Sequence, residues 1–216
     1  HDGGAAIYST GNTYLKGTTK IAYNNSNGNA TFGGAAIFAR GGTLDIADDV
    51  LITENTGYDG AAIAGAGPVK ITMSGESITK NYARNPGGGI YLYGTAEAQG
   101  ANSSLTMTGG TISGNYARSY GGGGVFAHMG TTVNVSAGTI SGNGSAGAGG
   151  GVCMWNGSAV LNLSGSPVIT GNVQGASWSA ATKTITGGTT SNAWLSNWSN
   201  QLVVTGDLSS TANVGV

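Results

Sequence analysis

Residues 87–115 read GGGIYLYGTAEAQGANSSLTMTGGTISGN and contain both markers of a pattern that recurs along the chain. A glycine-rich marker that ends in Ile or Val opens the pattern, and a marker of the form Ile-x-x-Asn closes it. The first marker returns every 26 to 35 residues, ending at Ile7, Ile37, Ile63, Ile90, Val125 and Val152. The second marker ends at Asn55, Asn81, Asn115, Asn143 and Asn172. Two markers in fixed order at one period predict a solenoid of stacked repeats.

Within one repeat, alternation of apolar and polar residues predicts short strands. Residues 90–93 and 105–108 alternate in this way, and the glycines at 109–110 mark a corner before Ile112. Such alternation places one face of a strand in the core and the other in solvent. We therefore predict an all-β, right-handed parallel β-helix of about six to seven coils, with three short strands in each coil.

Stacked coils place equivalent residues above one another. We predict an inward column from the second strands, made of Leu44, Ile46, Ile71, Met73, Leu105, Met107, Val133, Val135, Leu161 and Leu163. An asparagine at a bend can bond both its own turn and the asparagine of the next coil. The five asparagines of the second marker should therefore form a structural ladder. Glu54 and Lys80, which each precede a ladder asparagine, are predicted to meet as an ion pair.

Residues 1–172 are predicted to hold the repeat coils, and residues 173–216 an atypical terminal coil and cap of the same domain. The cap region contains Trp178, Trp194 and Trp198, whose large rings suit the covering of an open core. Because the chain opens in the middle of the pattern, we expect it to be a mature product or an excised piece of a longer protein, with any anchor outside these residues.

The composition excludes several classes of protein. Only 8% of the 216 residues are charged and the net charge is −1, which is too little positive charge for nucleic-acid binding. The apolar fraction of 39% is large enough to form a core. One cysteine excludes an internal disulfide framework, and no apolar run reaches the roughly 20 residues of a membrane helix. We expect no membrane span within the chain and no cofactor, and the sequence leaves the oligomeric state open.

The two markers resemble the right-handed parallel β-helix repeats of bacterial surface adhesin-like proteins. The pattern is similar in particular to the polymorphic membrane proteins and autotransporter passengers, which alternate GGAI with FxxN. The resemblance covers about residues 3–172 and more loosely 202–216, with Ile here where that family has Phe. It implies a secreted or cell-surface, extracellular segment that acts as an adhesin or spacer, but it fixes no ligand. A glycan or host surface protein is expected as partner because of the outward aromatic residues instead.

A carbohydrate-active β-helix enzyme or tailspike fragment is the alternative, since polysaccharide lyases and glycosidases share this fold. Glycosidases need two carboxylates at a defined separation. Five of the nine acidic residues fall within 45–59, but no Asn-Thr-Asp or Gly-His-Gly string accompanies them, and we expect no catalytic residue. Asp45, Asp48 and Asp49 are a weak candidate for calcium, and two histidines with one cysteine make a zinc site implausible.

The candidate ligand-binding residues follow the first marker. If the closing Ile or Val points inward, the next residue points outward, which gives a predicted outward strip with Tyr91, Tyr93, Phe126, His128 and Trp155. Aromatic rings in register can stack on sugar rings or anchor a protein, and loops folded over the rings are the structural alternative. The polar stretch 94–103 is predicted to leave the coil and border this strip.

A second candidate is the string NYAR, which occurs at 81–84 and again at 115–118. It places Tyr82 with Arg84 in one coil and Tyr116 with Arg118 in the next. Such stacked pairs suit an anionic glycan, although duplication of the repeat explains them equally well. Ice binding is a third possible function, but Thr72, Thr106 and Thr108 are followed by Asn and Ser, which break the flat threonine array.

Overall fold

The structure is a computed structural model that describes residues 6–26, 36–94 and 102–215. Every regular element in these ranges is a β-strand, and the strands form three large sheets and one small hairpin. Within these ranges no helix is long and apolar enough to cross a membrane. Most of the polar stretch predicted to leave the coil, residues 95–101, lies outside the described residues.

The first sheet contains the strands that follow the glycine-rich markers. Its seven strands lie in chain order: Ile7–Ser9, Ile37–Ala39, Ile63–Ala66, Ile90–Tyr93, Val125–His128, Val152–Trp155 and Ala193–Leu195. All neighbours pair in parallel, and the closing apolar residues of the six markers face one another in register. The repeats identified in the sequence therefore pair with one another, marker to marker, in this sheet.

The second sheet has two arms. One arm begins with Thr13–Leu15, Gly42–Ile46 and Val69–Met73, and the other with Lys20–Ala22, Leu51–Thr53 and Ser77–Thr79. The arms join in three long strands, Ser104–Ser113, Thr132–Ser141 and Val160–Thr170. The last of these pairs with both Gln201–Leu208 and Asn213–Val214 at the end of the sheet. In these three repeats, the second and third strands predicted from the sequence form one continuous strand. A register shift interrupts each pairing of the long strands, near the left-handed glycines Gly110, Gly138 and Gly165.

The third sheet follows the ladder asparagines directly. Its strands are Thr56–Gly57, Tyr82–Ala83, Tyr116–Ala117, Gly144–Ser145 and Val173–Gln174, all parallel, and Thr189–Thr190 closes it antiparallel. Strands of two residues give no periodic signal, so the sequence did not predict them. Ser177–Ser179 and Thr184–Thr186 form the hairpin, which extends from the last repeat.

The main core lies between the sheets and matches the predicted columns. All ten residues of the predicted second-strand column are at most 2% exposed, as are Ile52, Ile78, Ile112, Ile140 and Ile169. Because each repeat contributes the same few apolar positions, each repeat buries its core residues against its two neighbours.

The asparagine ladder is confirmed. In each step the side-chain Nδ2 and the backbone N–H of one asparagine donate to Oδ1 of the next, and the chain of bonds runs through all five predicted residues. It continues to Asn24 at one end and Asn192 at the other. The remaining Nδ2 hydrogen donates to a carbonyl on the paired strand of the preceding repeat, as from Asn115 to Ile78 at 2.8 Å.

The two markers meet in space, which explains why they recur together. A Cβ on Gly124 would lie 2.7 Å from the carbonyl oxygen of Gly151 and 3.1 Å from Nδ2 of Asn143. Gly89 and Gly151 hold the same position in their repeats, against Asn115 and Asn172. In the later repeats the third glycine of the marker therefore allows the backbone to approach the ladder, whereas Ala36 and Ala62 hold this position in two earlier repeats.

The predicted ion pair between Glu54 and Lys80 is wrong. Both residues adopt left-handed backbone conformations, with φ of 56° and 54°, in a position that Gly114, Gly142 and Gly171 occupy in later repeats. The sharp bend turns these partly or fully exposed side chains toward solvent. Neither residue makes an ion pair within the described part of the chain.

The three tryptophans of the terminal region do not cover the main core. Trp178 packs on the third sheet, Trp194 stacks on Trp155 of the first sheet, and Trp198 is 97% exposed. Smaller side chains pack against the core at this end, namely Ala193, Leu202 and Val214. The strands that carry them continue the parallel pairing, so the sheets themselves extend over the last repeat.

Replacing Asn115 by Ala should lower the free energy of unfolding by about 2–5 kcal/mol, because it leaves two buried donors of Asn81 without their acceptor. Asn24→Ala, at the partly exposed end of the ladder, should cost clearly less. Urea unfolding followed by circular dichroism measures both. Equal losses for the two variants would contradict the ladder's role.

Gly124→Ala should cost about 2–3 kcal/mol through overpacking, since its Cβ would lie 2.7 Å from the carbonyl oxygen of Gly151. Gly11→Ala is the matched control, because its Cβ would meet nothing within 4 Å. The same unfolding assay should place the control within about 1 kcal/mol of the parent. A Gly124→Ala protein as stable as the control would show that the close approach is not needed.

Candidate functional site

The outer face of the first sheet carries a second apolar cluster, separate from the main core. Along Ile90–Tyr93, Ile90 and Leu92 point into the main core, while Tyr91 and Tyr93 lie on the opposite face. The cluster is formed by Phe38, Ala64, Ala66, Tyr91, Phe126 and Cys153, with Tyr93, Trp155 and Trp194 packed against it. The predicted strand parity is therefore confirmed.

The predicted exposure of this strip is wrong for its central rings. Tyr91 is only 7% exposed and Phe126 only 2%. The chain that enters the first sheet folds back over these rings, because the left-handed glycines Gly87 and Gly122 bring the backbone against them. A Cβ on either glycine would lie within 3 Å of Cβ of the ring below. Tyr93, His128 and Trp155 remain half-buried.

The rings stack along the direction in which the repeats follow one another. Tyr93 and His128 lie almost parallel, with centroids 5.4 Å apart and an angle of 7°. Trp155 lies 6.0 Å from Phe126 and is stacked at 5.6 Å on Trp194. The structure thus brings together all five aromatic and histidine residues that the sequence singled out for this face.

A cleft of about 270 Å³ opens beside these rings. Its walls include Tyr91, Phe126, His128 and Trp155. They also include four residues that the sequence analysis did not assign to this face: Asp59, Asn85, Pro86 and Tyr120. Asn85 donates to Oδ1 of Asp59 at 2.9 Å, and Tyr120 meets Trp155 edge to face at 5.8 Å. The cleft therefore combines ring faces with hydrogen-bonding groups.

Two of the missed residues had a sequence signal. Asp59 takes the place of the first glycine in the third copy of the marker, DGAAI instead of GGAAI. Tyr120 directly precedes the glycines of a later marker and adopts a left-handed conformation, with φ of 60°. A search for residues that differ from the repeat pattern beside the aromatic positions would have identified both Asp59 and Tyr120. Asn85 belongs to a loop and had no such signal.

Burial disfavours the charged forms of three groups on this face, Tyr91, His128 and Cys153. It raises the pKa of Tyr91, and the nearby Asp59 carboxylate adds to this shift. Burial lowers the pKa of His128 below its usual 6.5, opposed in part by the hydrogen bond from Nδ1 to the carbonyl oxygen of Gly94 at 3.3 Å. Burial also raises the pKa of the Cys153 thiol to about 12, which makes it a poor nucleophile.

Arg84 and Arg118 do not join this cleft. They follow the strands of the third sheet and line a separate pocket with Tyr82 and Tyr116. The two candidate groups predicted from the sequence are therefore two different sites.

The acidic residues suggested for calcium do not assemble into a metal site. Asp45 accepts a hydrogen bond from the hydroxyl of Thr72, and Asp48 accepts one from the backbone N–H of Gly17 at 3.0 Å. No group of three His, Cys, Asp or Glu side chains capable of holding a metal ion occurs in the described ranges, which include Asp49.

Comparisons of the chain with protein-family models, with curated proteins and with solved structures found no match.

The lowered pKa of His128 predicts a pH-dependent contribution to stability. The unfolded chain takes up this proton near pH 6.5 and the folded chain only at lower pH, so stability falls as the pH drops below 6.5. His128→Gln lacks the titrating group and should therefore lose less stability than the parent when the pH is lowered from about 7.5 to about 5, a range that spans the ordinary histidine pKa of about 6.5. Melting temperatures of both proteins measure this difference. A larger loss in the Gln variant would contradict the assignment.

Proposed function

We propose that this chain winds as a right-handed parallel β-helix and is a non-catalytic, adhesin-like segment of a secreted or cell-surface bacterial protein. Its binding function is to hold a glycan in the cleft on the outer face of the first sheet. The observation that carries the proposal is the combination of Tyr120, Trp155 and His128 rings with Asp59 and Asn85 around one cleft.

Strand pairing supports the winding. Each repeat passes through the first, second and third sheets in that order, and each strand pairs in parallel with its equivalents. Successive parallel strands joined by crossovers are right-handed in nearly all proteins. A rod of this kind suits display, because its core depends only on the repeats and its outer surfaces are free to vary.

The chemistry of the cleft favours a sugar as its ligand. A pyranose ring offers an apolar face for stacking and hydroxyl groups for hydrogen bonds, and the cleft supplies rings together with a carboxylate and an amide. Its volume of about 270 Å³ is near the lower limit of small-molecule sites. A cleft of this size suits one or two sugar units better than the broad surface of a host protein.

The same cleft argues against hydrolysis. Glycosidases use two carboxyl groups that flank the scissile bond. Among the described residues that line the cleft, Asp59 is the one acidic side chain. It is 4% exposed and accepts a hydrogen bond from Asn85, so the described lining offers no pair of carboxyl groups to flank a glycosidic bond.

A glycan array followed by isothermal titration calorimetry with the best neutral oligosaccharide tests the proposal. Tyr120→Ala removes a side chain that is 55% exposed, so it should leave the fold intact and weaken binding by about tenfold, or about 1.4 kcal/mol. Trp155→Ala should weaken binding further, because Trp155 contributes the larger ring.

Trp198→Ala is the matched control, since this tryptophan is 97% exposed and lies outside the cleft. It should bind like the parent. If Tyr120→Ala and Trp155→Ala bind every recognised glycan as the parent does, or if the array shows no glycan at all, the cleft is not a glycan site. The segment is then better described as a spacer.

A further inference from the structure

A second pocket, of about 460 Å³, lies on the third sheet and is distinct from the glycan cleft proposed above. Its aromatic part consists of Tyr82, Tyr116 and Trp178. The two tyrosines are register partners on neighbouring strands, and their rings stack at 5.9 Å with an angle of 11°. Trp178 lies 5.9 Å from one ring and 5.8 Å from the other. Three rings from different parts of the chain thus form one wall.

The hairpin that carries Trp178 is fixed on the sheet. Trp178 pairs with Ile185 across the hairpin, and Ile185 packs so closely on Gly144 that a Cβ there would lie 2.7 Å from its side chain. The hydroxyl of Tyr116 donates to the carbonyl oxygen of Ala176 at 2.8 Å, just before the hairpin. The hairpin is therefore a built part of the pocket.

The polar part of the pocket is cationic. Arg84 and Arg118 each stand two residues after a pocket tyrosine, and Lys183 comes from the hairpin turn. These are three of only eight basic residues in the chain, and no acidic side chain is among the described residues that line the pocket. In a chain with net charge −1, this concentration marks a local site for an anion.

We propose that this pocket binds an acidic sugar residue, whose carboxylate or sulfate pairs with Arg118, Arg84 and Lys183 while its ring lies against the Tyr82, Tyr116 and Trp178 wall. A guanidinium group binds a carboxylate or sulfate through two parallel hydrogen bonds, and the exposed Arg118 can offer this geometry at the pocket. The volume accommodates one such residue with part of its neighbour. The spacing of the arginines along the repeats suits a chain of acidic sugars better than an isolated ion.

An acidic sugar fits better than a nucleic acid. Nucleic-acid binding requires Lys and Arg arrayed against many phosphates, but the five basic residues outside the pocket are outnumbered by the nine acidic residues of the chain. The pocket rings stack on one another instead of separating to receive several bases. A ligand for this pocket therefore needs one negatively charged group and one sugar face that lies against the rings.

Isothermal titration calorimetry of the purified chain tests this proposal with five probes: tetragalacturonate, its methyl ester, a sulfated galactose tetrasaccharide, a neutral maltotetraose and a ten-residue oligothymidylate. Binding of tetragalacturonate or the sulfated probe, with at least about tenfold preference over the ester and maltotetraose, is the expected result. Preference between the two acidic probes distinguishes carboxylate from sulfate. The affinity should fall as salt increases from about 20 mM to about 300 mM.

Arg118→Gln should weaken binding of the preferred acidic probe by at least about tenfold, because Arg118 is exposed and its replacement leaves the fold intact. Lys70→Gln, an exposed lysine outside the pocket, is the matched control and should bind like the parent. Trp178→Ala should weaken binding, whereas Trp198→Ala should not. Tyr120→Ala, in the first-sheet cleft, should leave acidic-sugar binding unchanged, which separates this proposal from the neutral glycan site.

The proposal is overturned if neither acidic probe binds, if the methyl ester binds as tightly as tetragalacturonate, or if oligothymidylate binds more tightly than both acidic sugars. It is also overturned if Arg118→Gln binds as the Lys70→Gln control does.

Discussion

The hydrogen bond between ladder asparagines is the interaction on which the rest of the structure depends. Each central asparagine is fully buried, and a buried amide is costly unless all its groups are paired. Here both Nδ2 hydrogens donate and Oδ1 accepts twice, as at Asn115. This arrangement is possible only if the next repeat supplies an asparagine at the same place. The ladder thus fixes the register of the repeats, while the apolar columns supply most of the stabilisation.

The glycines of the first marker follow from the same constraint. In the later repeats, Gly89, Gly124 and Gly151 leave no room for a Cβ between the backbone of the next repeat and a ladder asparagine. The first glycine of the marker has a different task, since its left-handed turn carries the chain over the outer face of the first sheet. That turn buries Tyr91 and Phe126 and leaves a cleft at their edge. The proposed binding cleft therefore depends on the glycine turn that precedes each strand of the first sheet.

The sequence predicted the parts of the structure that repeat. The core columns, the ladder and the alternation that separates Ile90 from Tyr91 all depend on residue types at fixed spacing, and all were confirmed. It failed where the structure departs from the repeat. The cover over Tyr91 depends on a turn whose direction no pattern encodes, and the contact of Trp178 with Tyr82 joins residues almost one hundred positions apart. The recurrence of NYAR indicated an aromatic and cationic pair, but the hairpin that completes this pocket lies outside the repeat.

Hydrogen exchange of the asparagine amides, followed by NMR, tests the central claim most directly. If the ladder holds the repeats together, the backbone N–H groups and side-chain amides of Asn81, Asn115 and Asn143 should exchange among the slowest in the protein, as buried and doubly bonded groups do. The amides of Asn156 and Asn197, which lie outside the ladder, should exchange much faster. Exchange of the ladder amides as fast as those of Asn156 and Asn197 would contradict the account.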